Sequence, residues 1–186
     1  MALLPIRVLG DPVLRQPTTP VAAVTVEVKR LAADMLETMH AAKGIGLAAP
    51  QVGRKERMTV IDVDDTEYVL INPEIVASAG KIQWEEGCLS IPEVYAKVDR
   101  FLEVTVRATG LDGKEFEVSG SELLAVCLQH EIDHLDGRLF IDRLSLFKRR
   151  SVMKDWEEEK GKYPDLVRLV GPSPADDKAH RTDQRL

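Results

Sequence analysis

Residues 130–134 read His-Glu-Ile-Asp-His, inside a stretch that is otherwise apolar: Leu123, Leu124, Ala125, Val126, Leu128, Ile132 and Leu135 surround them. On a helix, side chains four positions apart differ by roughly 40° about the axis, so His130 and His134 point the same way and can share one metal ion. Glu131 is turned roughly 100° from His130. It flanks the ion without having to ligate it, which is the place for a group that moves protons to and from water. A helix buried on most sides does not carry two imidazoles and two carboxylates without a reason. Two hydrogen-bonded core histidines are the bland alternative, and the chain has only four histidines in all.

Two imidazoles hold a catalytic ion poorly; three protein ligands and an open position are the usual arrangement. The third ligand is open among Cys88, Cys127, His40, His180 and the carboxylates. Cys127 lies on the same helical stripe, but side chains from 127 to 134 spread roughly 10 Å along the axis and do not converge easily. It reads better as a small apolar wall residue. Cys88 comes from a separate segment, Glu86-Gly87-Cys88-Leu89-Ser90, and can approach from across the helix, with Gly87 letting the backbone come close. A third stretch, Gly44-Ile45-Gly46-Leu47-Ala48-Ala49-Pro50-Gln51, formally contains a dinucleotide-type glycine pattern. It follows a helix and runs into Pro50, whereas a nucleotide loop follows a strand and opens a helix. It reads instead as a loop of small residues close to a ligand, with Gln51 offering an amide donor.

These residues need elements to hold them. Val24, Val28, Leu31, Met35 and Met39 recur at helical spacing, predicting a helix from Thr25 to about Ala42 that stops at Gly44. Residues 58–63 and 68–72, separated by Asp64, Asp65 and Thr66, predict a hairpin. Short strands are expected at Ile75–Val76 and Gly80–Trp84, and a second hairpin joins 101–109 to 114–118 through Gly110-Leu111-Asp112-Gly113. The metal helix is expected from Ser119, with Glu122 completing a capping box, to Leu135, with Gly137 closing it. A third helix is expected from about Leu144 to Lys160, its first half basic through Arg143, Lys148, Arg149, Arg150 and Lys154. The expected architecture is α+β, with short, mostly antiparallel strands around the buried metal helix and one helix on either side of it in sequence. One catalytic domain is expected over 1–163, and 164–186 is expected to be a loose polar extension.

Composition limits the function classes. The chain has 186 residues and a net charge of −6, one domain's length and the wrong sign for general nucleic-acid or DNA binding. Nothing in it reads as a secretory signal or membrane span. A reducing cytoplasm is the expected compartment, where Cys88 and Cys127 stay free thiols.

The three motifs together, in their order and spacing, resemble the peptide deformylase family over roughly residues 3–160. That resemblance implies that Cys88, His130 and His134 bind one divalent metal, Fe2+ in the family, with Zn2+, Ni2+ or Co2+ as possible substitutes. It implies that Glu131 is the acid/base, and that Gln51 and the Leu89 N–H hold a formyl oxygen. Ile45, Gly46, Leu123, Val126 and Cys127 fall where the family builds its methionine pocket. The implied reaction releases formate from N-terminal formylmethionine of newly made polypeptides. For the basic third helix a solvated face is the plain reading, and the resemblance suggests docking near ribosomal RNA as the alternative. Lys43 and Tyr95 depart from residues common in relatives and bear on contacts beyond the methionine. The competing classes are a small metallopeptidase cutting internal bonds and a structural metal module, which needs a closed fourth ligand.

Overall fold

A computed structural model describes residues 2–171. Three helices are present among them: α1 Val26–Ala41, α2 Glu122–Leu135 and α3 Leu146–Glu159. The nine strands are β1 Ile6–Arg7, β2 Gly46–Ala48, β3 Met58–Val63, β4 Thr66–Ala79, β5 Ile82–Cys88, β6 Ile91–Arg100, β7 Glu103–Thr109, β8 Glu115–Ser121 and β9 Val167–Arg168. An antiparallel sheet of order β2-β3-β4-β7-β8 carries most of them, with separate ribbons β5-β6 and β1-β9. This is the α+β arrangement expected.

Strand β3 sorts the molecule. All of its residues are buried, because helices cover both of its faces. Met58 and Val60 join a cluster with Val28, Leu31, Met35 and Met39 of α1. Ile61 and Val63 join a cluster with Val126, Leu128 and Ile132 of α2. Successive side chains of a strand face opposite ways, so odd positions of β3 face α2 and even positions face α1. Polar residues in β3 obey the same rule, which places Thr59 toward α2 and Asp62 toward α1.

Several expectations are met and several are revised. Thr25 caps α1 by accepting from the Val28 N–H. The α1 stop is made by Lys43, at φ 59, and not by Gly44. Gly44 is needed for space: a Cβ there would lie 2.7 Å from Leu89 Cδ1. The first hairpin turns through Asp64 and Asp65 at φ 54 and φ 58, the left-handed pair that suits a tight turn. The strands expected at 68–72 and 75–76 are one long strand, β4, whose pairing shifts register between Ile71 and Glu74 and again between Ile75 and Ala77. Gly80, at φ +65, belongs to the turn before β5. Strand β6 has no counterpart in the sequence reading.

The capping box at Ser119 is not formed. Ser119 pairs with Thr105 in the β7–β8 ladder, and its hydroxyl lies 3.0 Å from the Thr105 hydroxyl. A ladder running from Glu103–Ser121 to Thr109–Glu115 outcompetes a local cap, so α2 starts three residues later. The segment from 164 begins with a single turn and then β9, which pairs Val167 and Arg168 with Arg7 and Ile6. Residues 172–186 of the expected extension lie outside the described residues.

Gly137 closes α2 at φ +72, and a Cβ there would stand 2.8 Å from the Arg15 carbonyl oxygen. Replacing Gly137 with Ala therefore combines a disfavoured backbone with a backbone clash, and a loss of about 1–3 kcal/mol is expected. Urea unfolding measures it; an unchanged midpoint contradicts the assignment.

Candidate metal centre

One turn of α2 separates His130 from His134, and their Nε2 atoms lie 3.2 Å apart. Cys88 ends β5, where the ribbon closes back through Ile91, and its Sγ lies 3.2 Å from His134 Nε2. All three ligand atoms fall within 4.8 Å of one another, and all three residues are buried. Donors sharing one tetrahedral ion at roughly 2.0–2.3 Å stand roughly 3.3–3.6 Å apart. The cluster thus has the dimensions of three corners of a tetrahedron. Its donor set, one sulfur and two imidazoles, suits a borderline or soft divalent ion and leaves a coordination position open.

The electrostatics agree with a cationic guest. Burial tends to lower the pKa of His130, but hydrogen bonds and charge from Cys88 and Glu86 outweigh it and raise the ring well above its ordinary value. Burial and the neighbouring His130 push His134 well below its own. Two nitrogens this close do not both hold protons. The two ring nitrogens face each other at 3.2 Å beside the Cys88 sulfur, in the position where an ion can take both as donors.

A chain of buried charges braces the cluster. His130 Nδ1 lies 2.9 Å from Glu86 Oε2. Arg100 donates to both Glu86 oxygens, at 2.6 and 2.8 Å, and to Asp133 at 2.7 Å. Arg143 donates to Asp133 through two nitrogens, at 2.6 and 2.5 Å. Glu86 and Asp133 are both buried, which alone raises a carboxylate's pKa, yet their basic partners hold both below the ordinary range. Fixing the far nitrogen of a ligand histidine sets its tautomer and orientation.

Glu131 lies on the adjoining face of α2. Burial pushes it up to about 7 against the charge of His130 and a 3.2 Å hydrogen bond from the Thr59 hydroxyl. A Cβ at Gly46 would collide with its carboxylate, so the glycine loop gives this side chain its room. Gln51, 1% exposed, accepts from the Ala48 N–H at 2.8 Å. Its amide nitrogen reaches Cys88 Sγ at 3.5 Å and Ser90 Oγ at 3.2 Å, which points a donor along the sulfur side of the centre.

Other positions fall where the elements put them. Leu89 is buried in the β5–β6 turn against Gly44. Ile45, Val126 and Cys127 are buried together, with Leu123 packed against them. Burial, with Glu131 and Glu86 nearby, holds the Cys127 thiol well above its usual pKa, and its Sγ sits 3.8 Å from the Ile45 carbonyl. That is a neutral wall residue. Gly87 admits Tyr95, whose ring carbon would lie 2.6 Å from a Cβ there. Thr59, Ser90 and Arg143 are contacts of the site that spacing alone did not indicate. Only the alternation in β3 bears on one of them, Thr59.

Residues 3–150 match the family model described as Polypeptide deformylase. A peptide deformylase of Hydrogenovibrio crunogenus is 50% identical over 162 residues, covering 86% of this chain and 96% of that protein. One from Agrobacterium fabrum is 53% identical over 160 residues, covering 83% and 94%. The crystal structure of a peptide deformylase from Legionella pneumophila superposes with a TM-score of 0.83 at 44% identity, covering 87% of this chain and 97% of that one. That of the Ehrlichia chaffeensis enzyme in complex with actinonin gives 0.83 at 37% identity, covering 88% and 99%.

Arg100 answers two buried carboxylates, so replacing it with Met is expected to cost about 3–5 kcal/mol. In protein stripped of metal, the depressed pKa values of Glu86 and Asp133 stabilise the fold above their ordinary values of 4.5 and 3.8, and that contribution fades as pH falls below them. Urea midpoints between neutral and acid pH test this. The Arg100→Met protein must lose the acid-side decline, and an identical profile would refute the linkage.

Proposed function

The chain belongs to the polypeptide deformylase family, and from that premise we propose a division of labour among its buried residues. The reaction is hydrolysis: water adds across the amide bond of an N-terminal formylmethionine, releasing formate and a free amine. Cys88, His130 and His134 are the residues to hold the ion; their mutual approach within 4.8 Å is the observation that carries the reading. When bound, a divalent ion supplies Lewis acidity, polarising a carbonyl oxygen and bringing the pKa of water from ~15.7 toward ~7. We assign Fe2+ as that ion on the family resemblance, with Zn2+, Ni2+ or Co2+ able to use the same sulfur and nitrogen donors.

Glu131 moves the proton. Its carboxylate accepts one from the attacking water and returns it to the leaving nitrogen. Thr59 donates to that carboxylate, and the space over Gly46 gives it room. The Gln51 amide and the Leu89 backbone N–H oppose the charge that grows on the formyl oxygen, each such donor being worth roughly 3 kcal/mol. Ile45, Gly46, Leu123, Val126 and Cys127 line the place for the methionine side chain, an apolar slot whose only sulfur, Cys127, stays neutral.

Beyond the reaction, residues 1–163 form the catalytic unit, and no helix of the described residues is long and apolar enough to cross a membrane. We assign the work to the cytoplasm, where formylated chains emerge. Lys148, Arg150 and Lys154 lie exposed along α3 and suit a polyanion such as ribosomal RNA, whereas Arg143 and Arg149 are engaged by Asp133 and Asp142.

Glu131→Ala is expected to keep its metal and lose nearly all turnover. Gln51→Ala should lower kcat by about 10²–10³-fold. Cys88→Ala should lose the metal itself. Formate release from formyl-Met-Ala-Ser, beside elemental analysis of each protein, checks all three; a Glu131→Ala protein with most of its activity would end the assignment of the base. New amines from an unblocked peptide would favour a peptidase instead. Salt-sensitive ribosome sedimentation that persists after truncation at about residue 145 would end the α3 docking role.

A further inference from the structure

His40 stands apart from the centre described above, and the structure gives it partners of its own. It occupies the last turn of α1, and its Nε2 lies 2.9 Å from Asp62 Oδ2 and 3.8 Å from Glu67 Oε1. The three ligand atoms all fall within 4.8 Å of one another. They come from three elements, α1, β3 and β4, and Asp62 and Glu67 are direct cross-strand partners. Asp62 takes its direction from the alternation of β3, which turns even positions toward α1. We propose that His40, Asp62 and Glu67 form a second, peripheral site for a divalent transition-metal ion such as Zn2+.

Three features favour an ion there. Both carboxylates approach the same ring nitrogen, at 2.9 and 3.8 Å, so one nitrogen and two oxygens converge on one point. The site faces solvent on one side, with the Glu67 side chain 53% exposed, leaving room for water to complete the coordination. Asp64 and Asp65 at the tip of the same hairpin, and the carbonyl end of α1, add negative potential. The site is also joined to the glycine loop: the Asp62 N–H donates to the Ile45 carbonyl at 2.9 Å, and Lys43 N–H to the His40 carbonyl at 3.0 Å. An ion here would tie α1 to the β3–β4 hairpin beside that loop.

The experiment starts from protein already holding one equivalent of metal by elemental analysis, equilibrated against Zn2+. A second equivalent is expected. Losing even an outer contact of a metal site costs 10–100-fold in affinity, so His40→Gln and Glu67→Gln should each weaken the second equivalent by at least about tenfold. Both should keep the first equivalent and their deformylation rate without added Zn2+. Glu67 is exposed, so its variant is not open to loss of fold. No second equivalent in the unaltered protein, or one that persists undiminished in either variant, overturns the proposal.

Discussion

Everything in this molecule follows from burying α2 with its polar groups. Ala125 through Leu135 are all buried, and among them stand His130, Glu131, Asp133 and His134. An uncompensated charge in such a place costs several kcal/mol, which can exceed a domain's margin of stability. The fold answers most of these groups with a partner from another segment, although His134 Nδ1 has no hydrogen-bond partner among the described residues. Glu86 meets His130, Arg100 spans Glu86 and Asp133, Arg143 closes Asp133 from the surface, and Thr59 meets Glu131. The same partners that make the helix tolerable also fix how its side chains point. Stability and preorganisation are here one network.

Space is controlled as tightly as charge. Among the glycines where a methyl group would strike a neighbour, three lie in the segments of the candidate site: Gly44 against Leu89, Gly46 against Glu131, Gly87 against Tyr95. Gly44 precedes β2, Gly46 begins it, and Gly87 lies near the end of β5. Their lack of a side chain lets these segments pack closely, with Cys88 within reach of His134 and Gln51 within reach of Cys88.

What the sequence made legible was local. The two histidines and the glutamate share a helix, so their geometry is a matter of a few residues. The first hairpin is written in its two aspartates, and Gly137 marks the end of α2 by its backbone alone. The capping box at Ser119 failed because a strand ladder, a non-local pairing, claimed the same residue. Strand β6 went unseen because its register depends on β5. Arg100 joins Glu86 to Asp133 across three segments, since one guanidinium has enough donors to reach two carboxylates. Thr59 and Arg143 were invisible for the same reason: nothing in their own neighbourhood says what lies across from them.

The ribbon of β1 and β9 has a temporal side. Ile6 and Arg7 are made long before their partners, Arg168 and Val167. The Val8 N–H likewise waits for the Leu166 carbonyl. During translation β1 therefore leaves the tunnel before β9 has been made, and this pairing waits until residue 168 has emerged. Loop closure over that span is the slowest kind of contact to make. The hairpins and α2 can form while the ribosome is still at work; the seam that joins the two ends comes last.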